Sequence, residues 1–243
     1  MKPISFPLYD AILSAVPEEE AIRRVRLGER WAMAETERGA GLGMFTAGHS
    51  VAPQYPEGLE GLPAAEAAKA VLSWNLEEAS AGMAAANAAL NTAARAEALG
   101  CVGGHYADGI DFTGKAVGMI GHMHGPAGMR ERAERVFILE REVQEGDYPD
   151  TACDWLLPQC DIVIITGSSL INKSLPHLLS LCPDAFTILT GPSVPLCPTL
   201  LDCGLDRISG LIVHDRGGLR RHVEESRRGS PFGYGEPFVL ARR

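Results

Sequence analysis

"CDIVIITGSSLINKSLPHLL", residues 160–179, decides how the second half of this chain is read. Within it, DIVIITG (161–167) is a short apolar run closed by a glycine. INKSLPHLLSLC (171–182) follows with helical spacing and one awkward residue, Pro176. A continuous apolar run of this length between turn signals reads as a strand buried on both faces. The same unit recurs on either side. KAVGMIG (115–121), RVFILE (135–140), AFTILTG (185–191) and ISGLIVHD (208–215) read as strands. Residues 127–134 and 216–227 read as helices, and 151–157 as a helix or a single turn. Strands that alternate with helices imply a parallel sheet with crossover connections.

The first hundred residues follow another pattern. Residues 5–16 read as a short helix ending near Pro17. In IRRVRLGERWAMAET (22–36), Val25, Leu27, Trp31 and Met33 hold odd positions, with Gly28 as the turn. That is strand alternation, and GLGMFTAG (41–48) adds a third strand to an antiparallel meander. PAAEAAKAVLSW (63–74) opens a helix with Pro63 near the first turn. NLEEASAGMAAANAALNTAARAEAL (75–99) reads as one continuous helix on propensity. Its many small residues imply close backbone packing, either within its own domain or against a second copy, which allows a homodimer. The fold class is therefore α/β: a small α+β domain over 1–105, then a parallel-sheet domain over 106–243, with the boundary in the 100–114 region.

Bulk properties narrow the function. The chain has 243 residues, 46% of them hydrophobic, and a formal net charge of −9. Such a balance offers no broad cationic face to a nucleic-acid backbone. No apolar run approaches the ~20 residues that span a bilayer. The opening MKPISFPLYDAILSAVPEEE lacks a signal-peptide core and cleavage site, so a cytoplasmic location is expected, with no membrane partner. The six cysteines, at 101, 153, 160, 182, 197 and 203, form no C-x-x-C pair and read as mostly buried thiols.

Candidate chemistry gathers at the strand ends. In an open parallel sheet, ligands sit beyond the carboxyl ends of the strands. AVGMIGHMHGPAG (116–128) is such an end, and three readings compete for it: a phosphate cradle, a metal site, or a tight turn. Glu140 closes the second strand 19 residues after Gly121, where a dinucleotide fold holds its ribose-binding acid. The glycines fall at 118, 121, 125 and 128, however, not in G-x-G-x-x-G order, and Pro126 removes one amide. His122 and His124 offer two imidazoles to a metal, or are solvent-facing turn residues. TGSSLINKSL (166–175) supplies Thr166, Ser168, Ser169 and Asn172, either as ligands or as helix caps. TGPSVPLCP (190–198) forms a stiff loop in which Gly191, Pro192 and Pro195 frame Ser193. His214 and Asp215 end the fifth strand, where neighbours point to opposite faces. His105, in VGGHYADGIDF (102–112), lies on a solvated crossing segment. No P-loop, Ser-His-Asp elbow, zincin or paired-cysteine motif is present.

Several blocks carry a family resemblance: EASAGMAAANA (78–88), EREVQEGDYPD (140–150), CDIVIITGSSLINKSLPHLL (160–179) and LTGPSVPLCPTLLDCGLDRISGLIVHD (189–215). Through them the chain resembles the family known as "putative heavy-metal chelation", which joins an enolase-N-terminal-like domain to a Rossmann-like domain. The resemblance implies a site in the cleft between the domains for a metal or a metal-chelating small molecule. By position it would draw on Glu78 and Asn87 of the long helix, then on Gly121, His122, Glu140, Thr166, Ser168, Asn172, Gly191, Pro192, Ser193 and Asp215. Glu78 and Asn87 stand nine residues apart, on opposite sides of a helix.

Three functions follow. The chain handles a divalent transition metal or a metallophore. Alternatively, it is an enzyme using S-adenosylmethionine or NAD, with Glu140 on the ribose. In the third reading it binds a small ligand without catalysis.

Overall fold

The computed structural model describes residues 7–46, 51–123 and 125–242. Helix α1 (Pro7–Ala15) leads into a three-stranded antiparallel sheet of β1 (Arg24–Leu27), β2 (Trp31–Glu35) and β3 (Ala40–Met44). The expected meander is present, and Gly28 N–H closes its first hairpin on the Trp31 carbonyl. The odd-position pattern is only half right. Leu27 is exposed, whereas Ala32, Met33 and Ala34 are all buried. Strand β2 is covered on both faces, so strict alternation gives way.

Helix α3 (Leu76–Leu90) covers this sheet, α2 (Ala64–Ala68) packs on α3, and α4 (Ala93–Leu99) turns its buried Ala96 toward Ile212 of the second half. Every residue of α3 from 78 to 90 is buried within the chain itself. The single helix expected over 75–99 is in fact two. Asn91 leaves helical geometry, its amide accepting from Leu196 N–H and donating to the Val194 carbonyl, both at 2.8 Å. Thr92 then caps α4 through its side-chain oxygen. Asn and Thr are cap formers, and the alanine-rich propensity around them hid the break.

The second half is an eight-stranded sheet. Its strands are β4 (Val102–Gly103), β5 (Ala116–Ile120), β6 (Arg135–Glu140), β7 (Tyr148–Pro149), β8 (Ile162–Thr166), β9 (Phe186–Thr190), β10 (Arg207–Val213) and β11 (Gly235–Ala241). They lie in the order β4-β11-β10-β9-β8-β5-β6-β7. The six strands from β7 to β10 are parallel, while β11 and β4 add antiparallel at one edge. Counted along the chain, the parallel strands run 3-2-1-4-5-6, the order of a dinucleotide-binding fold.

The crossovers are short. Helix α5 (Met129–Arg132) is one turn, and α6 (Cys153–Leu156) sits between two 3-10 turns. Helices α7 (Ser168–Ile171) and α8 (Leu175–Leu181) divide the next crossover, and α9 (Thr199–Asp202) is again one turn. Pro176 fits because α8 begins at Leu175, leaving the proline in the first turn where no amide is missed. Helix α10 (Arg216–Glu224) returns to the small sheet, where Arg220 grips Glu35 of β2 through two bonds of 2.7 and 2.8 Å. Among the described residues no helix is long and apolar enough to cross a membrane.

The two sheets share one apolar core. It runs from Tyr9 and Ile12 of α1 through the alanines of α3 to Ile165 and Leu189 on the large sheet and to Leu170 in the crossover after β8. Strand β3 meets α3 at backbone distance. A side chain at Gly41 would run into the backbone of Ala84 and Ala88, and one at Gly43 into the Ser80 carbonyl. We expect Gly41→Ala to cost about 3 kcal/mol or more, since neither backbone can withdraw. A lowered denaturation midpoint at unchanged slope checks this; an unaltered midpoint refutes it.

Candidate functional site

Reversal of strand order between β5 and β8 opens a crevice at their carboxyl ends. Gly121 leaves β5 with φ 94°, a left-handed conformation open to glycine, and its amide still donates to Leu139. A Cβ on Gly121 would press on Thr166 at 3.1 Å, so glycine is what lets the two strand ends meet. Thr166 closes β8. Its Oγ1 lies 3.3 Å from Ser168 Oγ, and its carbonyl accepts from Ser169 Oγ at 2.7 Å. Asn172 follows, its Oδ1 accepting the Ser174 amide. Glu140 ends β6 opposite them.

These groups line one cleft of about 190 Å³. Six residues singled out in the sequence converge there: Gly121, Glu140, Thr166, Ser168, Ser169 and Asn172. The sequence reading missed the other polar walls. Arg141 and Asp150 pair at 3.4 Å, and His177 Nε2 lies 3.3 Å from Asp154 Oδ1. Ser174 completes the hydroxyl side, and Ile120, Leu139, Cys153 and Leu178 form an apolar floor. The carboxylates of Glu140, Asp150 and Asp154 outnumber the one guanidinium, so the wall favours cationic groups. Asp150 and Asp154 flank a run of single turns with no periodicity to mark it. His177 occupies the first turns of α8, where only the placement of Pro176 signals the helix start.

Lys173 secures the turn between Asn172 and Ser174. Its backbone holds φ 65°, uncommon for a residue with a side chain. Its Nζ donates to the carbonyls of Ser73 at 2.5 Å and Ile171 at 2.9 Å and rests 5.7 Å from the Trp74 ring. Burial pulls its ammonium down to about 8. The cleft wall is thereby tied to the helical layer of the small sheet.

The remaining expected residues lie outside this cleft. Glu78 accepts the amides of Gln54 and Tyr55 at 3.0 and 2.6 Å, fixing the segment that precedes α2. Asn87, fully buried, donates to the Leu42 carbonyl of β3. Ser193 Oγ accepts the Met44 amide at 2.8 Å, where the loop carrying Gly191 and Pro192 meets the end of β3. Asp215 caps α10 through Gly218 N–H. His122 Nδ1 lies 3.3 Å from Asp147 Oδ2, while His124 lies outside the described residues. No group of three or more His, Cys, Asp or Glu able to hold a metal occurs among the described residues.

Beneath the cleft, burial pushes the Cys153 thiol up to about 11 and the Cys160 thiol up to about 12, helped by nearby acids. Burial alone takes Cys182 up to about 11. Thiols held above their unfolded value of 9.0 contribute stability that is whole below pH 9 and is lost as pH rises toward 12. Unfolding free energy should therefore fall across that window, and less steeply in Cys160→Ala. A variant with the wild-type slope would rule out this origin.

Comparison with known proteins fits this architecture. Residues 9–90 match the family model DUF4213 and residues 109–236 match DUF364, both described as "Putative heavy-metal chelation". No curated protein matches. A crystal structure of a DUF364-family protein with unknown function from Desulfitobacterium hafniense DCB-2 is 33% identical over 97% of this chain and 98% of that one, with TM-score 0.85. Another, from Pyrococcus horikoshii, shares the fold at 20% identity with the same coverage and TM-score 0.77. The chain belongs to the DUF364 family, with the small antiparallel unit and the larger, mostly parallel sheet that the Desulfitobacterium structure matches.

Proposed function

We propose that this chain binds a metal carried by a small chelating molecule in the cleft at the ends of β5, β6 and β8. The family description supports a metal-related role. The observation that carries the reading is the make-up of the wall. It gathers three carboxylates, an imidazole and several hydroxyls, yet among the described residues no three His, Cys, Asp or Glu side chains stand together as a metal site. Asp154 and His177 supply a carboxylate–imidazole pair suited to a borderline divalent ion such as Zn(II) or Ni(II). The remaining coordination positions would come from the chelator. Thr166, Ser168, Asn172 and Ser174 then serve as hydrogen-bonding partners for that molecule's polar groups, and the apolar floor takes its carbon skeleton.

A second reading has its own support. Glu140 ends the second strand of the 3-2-1-4-5-6 order, the position of a ribose-binding acid. S-adenosylmethionine or NAD would place its ribose there. The one-turn α5 and Pro126 supply few amides for a phosphate, which favours the first reading over NAD. A homodimer remains part of the proposal, with β7 as one of the two edge strands of the large sheet among the described residues.

Thermal unfolding with Zn(II) or Ni(II), with and without excess histidine or citrate, separates these readings. Saturation at ~100 times the dissociation constant adds about 2.7 kcal/mol. We expect the metal–chelate mixture to stabilise the protein more than either component. His177→Ala or Asp154→Asn should weaken binding tenfold or more, while His122→Ala leaves it intact. A response to S-adenosylmethionine or NAD that Glu140→Ala abolishes would put the second reading first. Equal stabilisation of wild type and His177→Ala by the mixture would overturn the first.

A further inference from the structure

Three of the seven methionines fall between residues 119 and 129, on the strand and turn that bound the cleft from its other side. Side chains along β5 alternate between faces. Ile120 joins the core on the cleft side, whereas Val117 and Met119 join a separate apolar cluster on the opposite face, together with Met129 and, half-buried beside them, Met123. After Gly121 the chain doubles back: the Met123 amide donates to the Gly121 carbonyl, and the Met129 amide to Pro126. The three thioethers line a second cavity, of about 180 Å³, with Arg130 and Glu131 at its margin.

Gly125, on the wall of that cavity, makes room for a methionine end. A Cβ at this position would sit 2.6 Å from Met129 Cε, 3.3 Å from Met129 Sδ and 3.7 Å from Met119 Cε. The thioether end of Met129 therefore takes the space that any larger residue would occupy, with the Met119 methyl at contact distance from it. Methionine used only as filler closes such gaps. Here an open cavity lies among three of them.

We propose that Met119, Met123 and Met129 form a thioether site for a soft monovalent cation, Cu(I) or Ag(I). Thioether sulfur is a neutral, soft donor that selects Cu(I) and leaves Zn(II), Mg(II) and Ca(II) to nitrogen and oxygen ligands. Being neutral, it needs no deprotonation, so a buried site of this kind binds without releasing protons. Glu131 offsets the charge of Arg130 at the rim. The site stands apart from the cleft in place, ligand type and metal class, and does not depend on the reading given above.

Methyl NMR of the full chain labelled with [13C]methyl-methionine, titrated with silver nitrate in chloride-free buffer, tests it directly. The Met119, Met123 and Met129 methyl signals should shift together, with Met33, Met44 and Met83 unmoved. Silver affinity should stay constant from pH 5.5 to 7.5, and Zn(II) should not compete. Replacing all three residues by leucine, which nearly keeps volume, should lower it at least tenfold. If that triple variant does not fold, Met123→Leu alone must reduce the shifts of its two partners. Static signals at the three methyls, with or without silver bound at thiols or imidazoles elsewhere, overturn the proposal. So does an unchanged affinity in a folded leucine variant.

Discussion

The contact of β3 with α3 sets the geometry of the molecule. Glycines at 41 and 43 bring the strand against the helix backbone, and alanines on α3 keep the distance short. The helix is then covered all round, by the small sheet on one side and by α1, α2 and the crossover around α7 on others. A helix so enclosed has room for few large side chains, Met83 and Leu90 among them, which accounts for its many alanines. The small sheet cannot move away from the large one without opening a core that both share.

That shared core explains why polar residues buried along the junction act as fasteners. Asn91 joins the break after α3 to the loop that follows β9, and Ser193 in that loop holds the end of β3. Lys173 does the same on the cleft side, reaching from a strained turn to the Ser73 carbonyl. Asn91 and Ser193 are buried and Lys173 is half-buried, each with its partners supplied, and removal of one leaves backbone groups of the other unit unsatisfied. The cleft inherits its rigidity from these ties.

Short crossovers give the cleft its chemistry. With α5, α6 and α7 reduced to single turns, no long helix points a row of free amides at the crevice. Carboxylates, hydroxyls and one imidazole take over the lining. The topology is that of a dinucleotide fold, but the recognition surface is built from side chains. On the opposite face of β5 three methionines line a second cavity, so the two sides of one strand end differ in character, polar on one and apolar on the other.

The architecture was legible because its signals are local. The apolar runs at 116–120, 135–140, 162–166, 186–190 and 207–213 are long enough and dense enough in β-branched residues to be strands wherever they pack, and the meander was marked by its Gly28 turn. Strand β11 was not read, because Pro237 and the glycines before it look like loop until β10 lies alongside. Gly121, Glu140, Thr166, Ser168 and Asn172 could be named because strand ends are visible in a sequence. Asp150, Asp154 and His177 could not, since their approach depends on how turns without periodicity fold over the sheet. Glu78, Asn87 and Ser193 have the residue types of ligands, and only the tertiary structure shows their hydrogen bonds going to backbone. The sequence by itself determined which segments are strands and helices, through hydrophobic run length and turn chemistry. Tertiary structure decided which polar groups face a cavity and which face a carbonyl, because that depends on partners far apart in the chain.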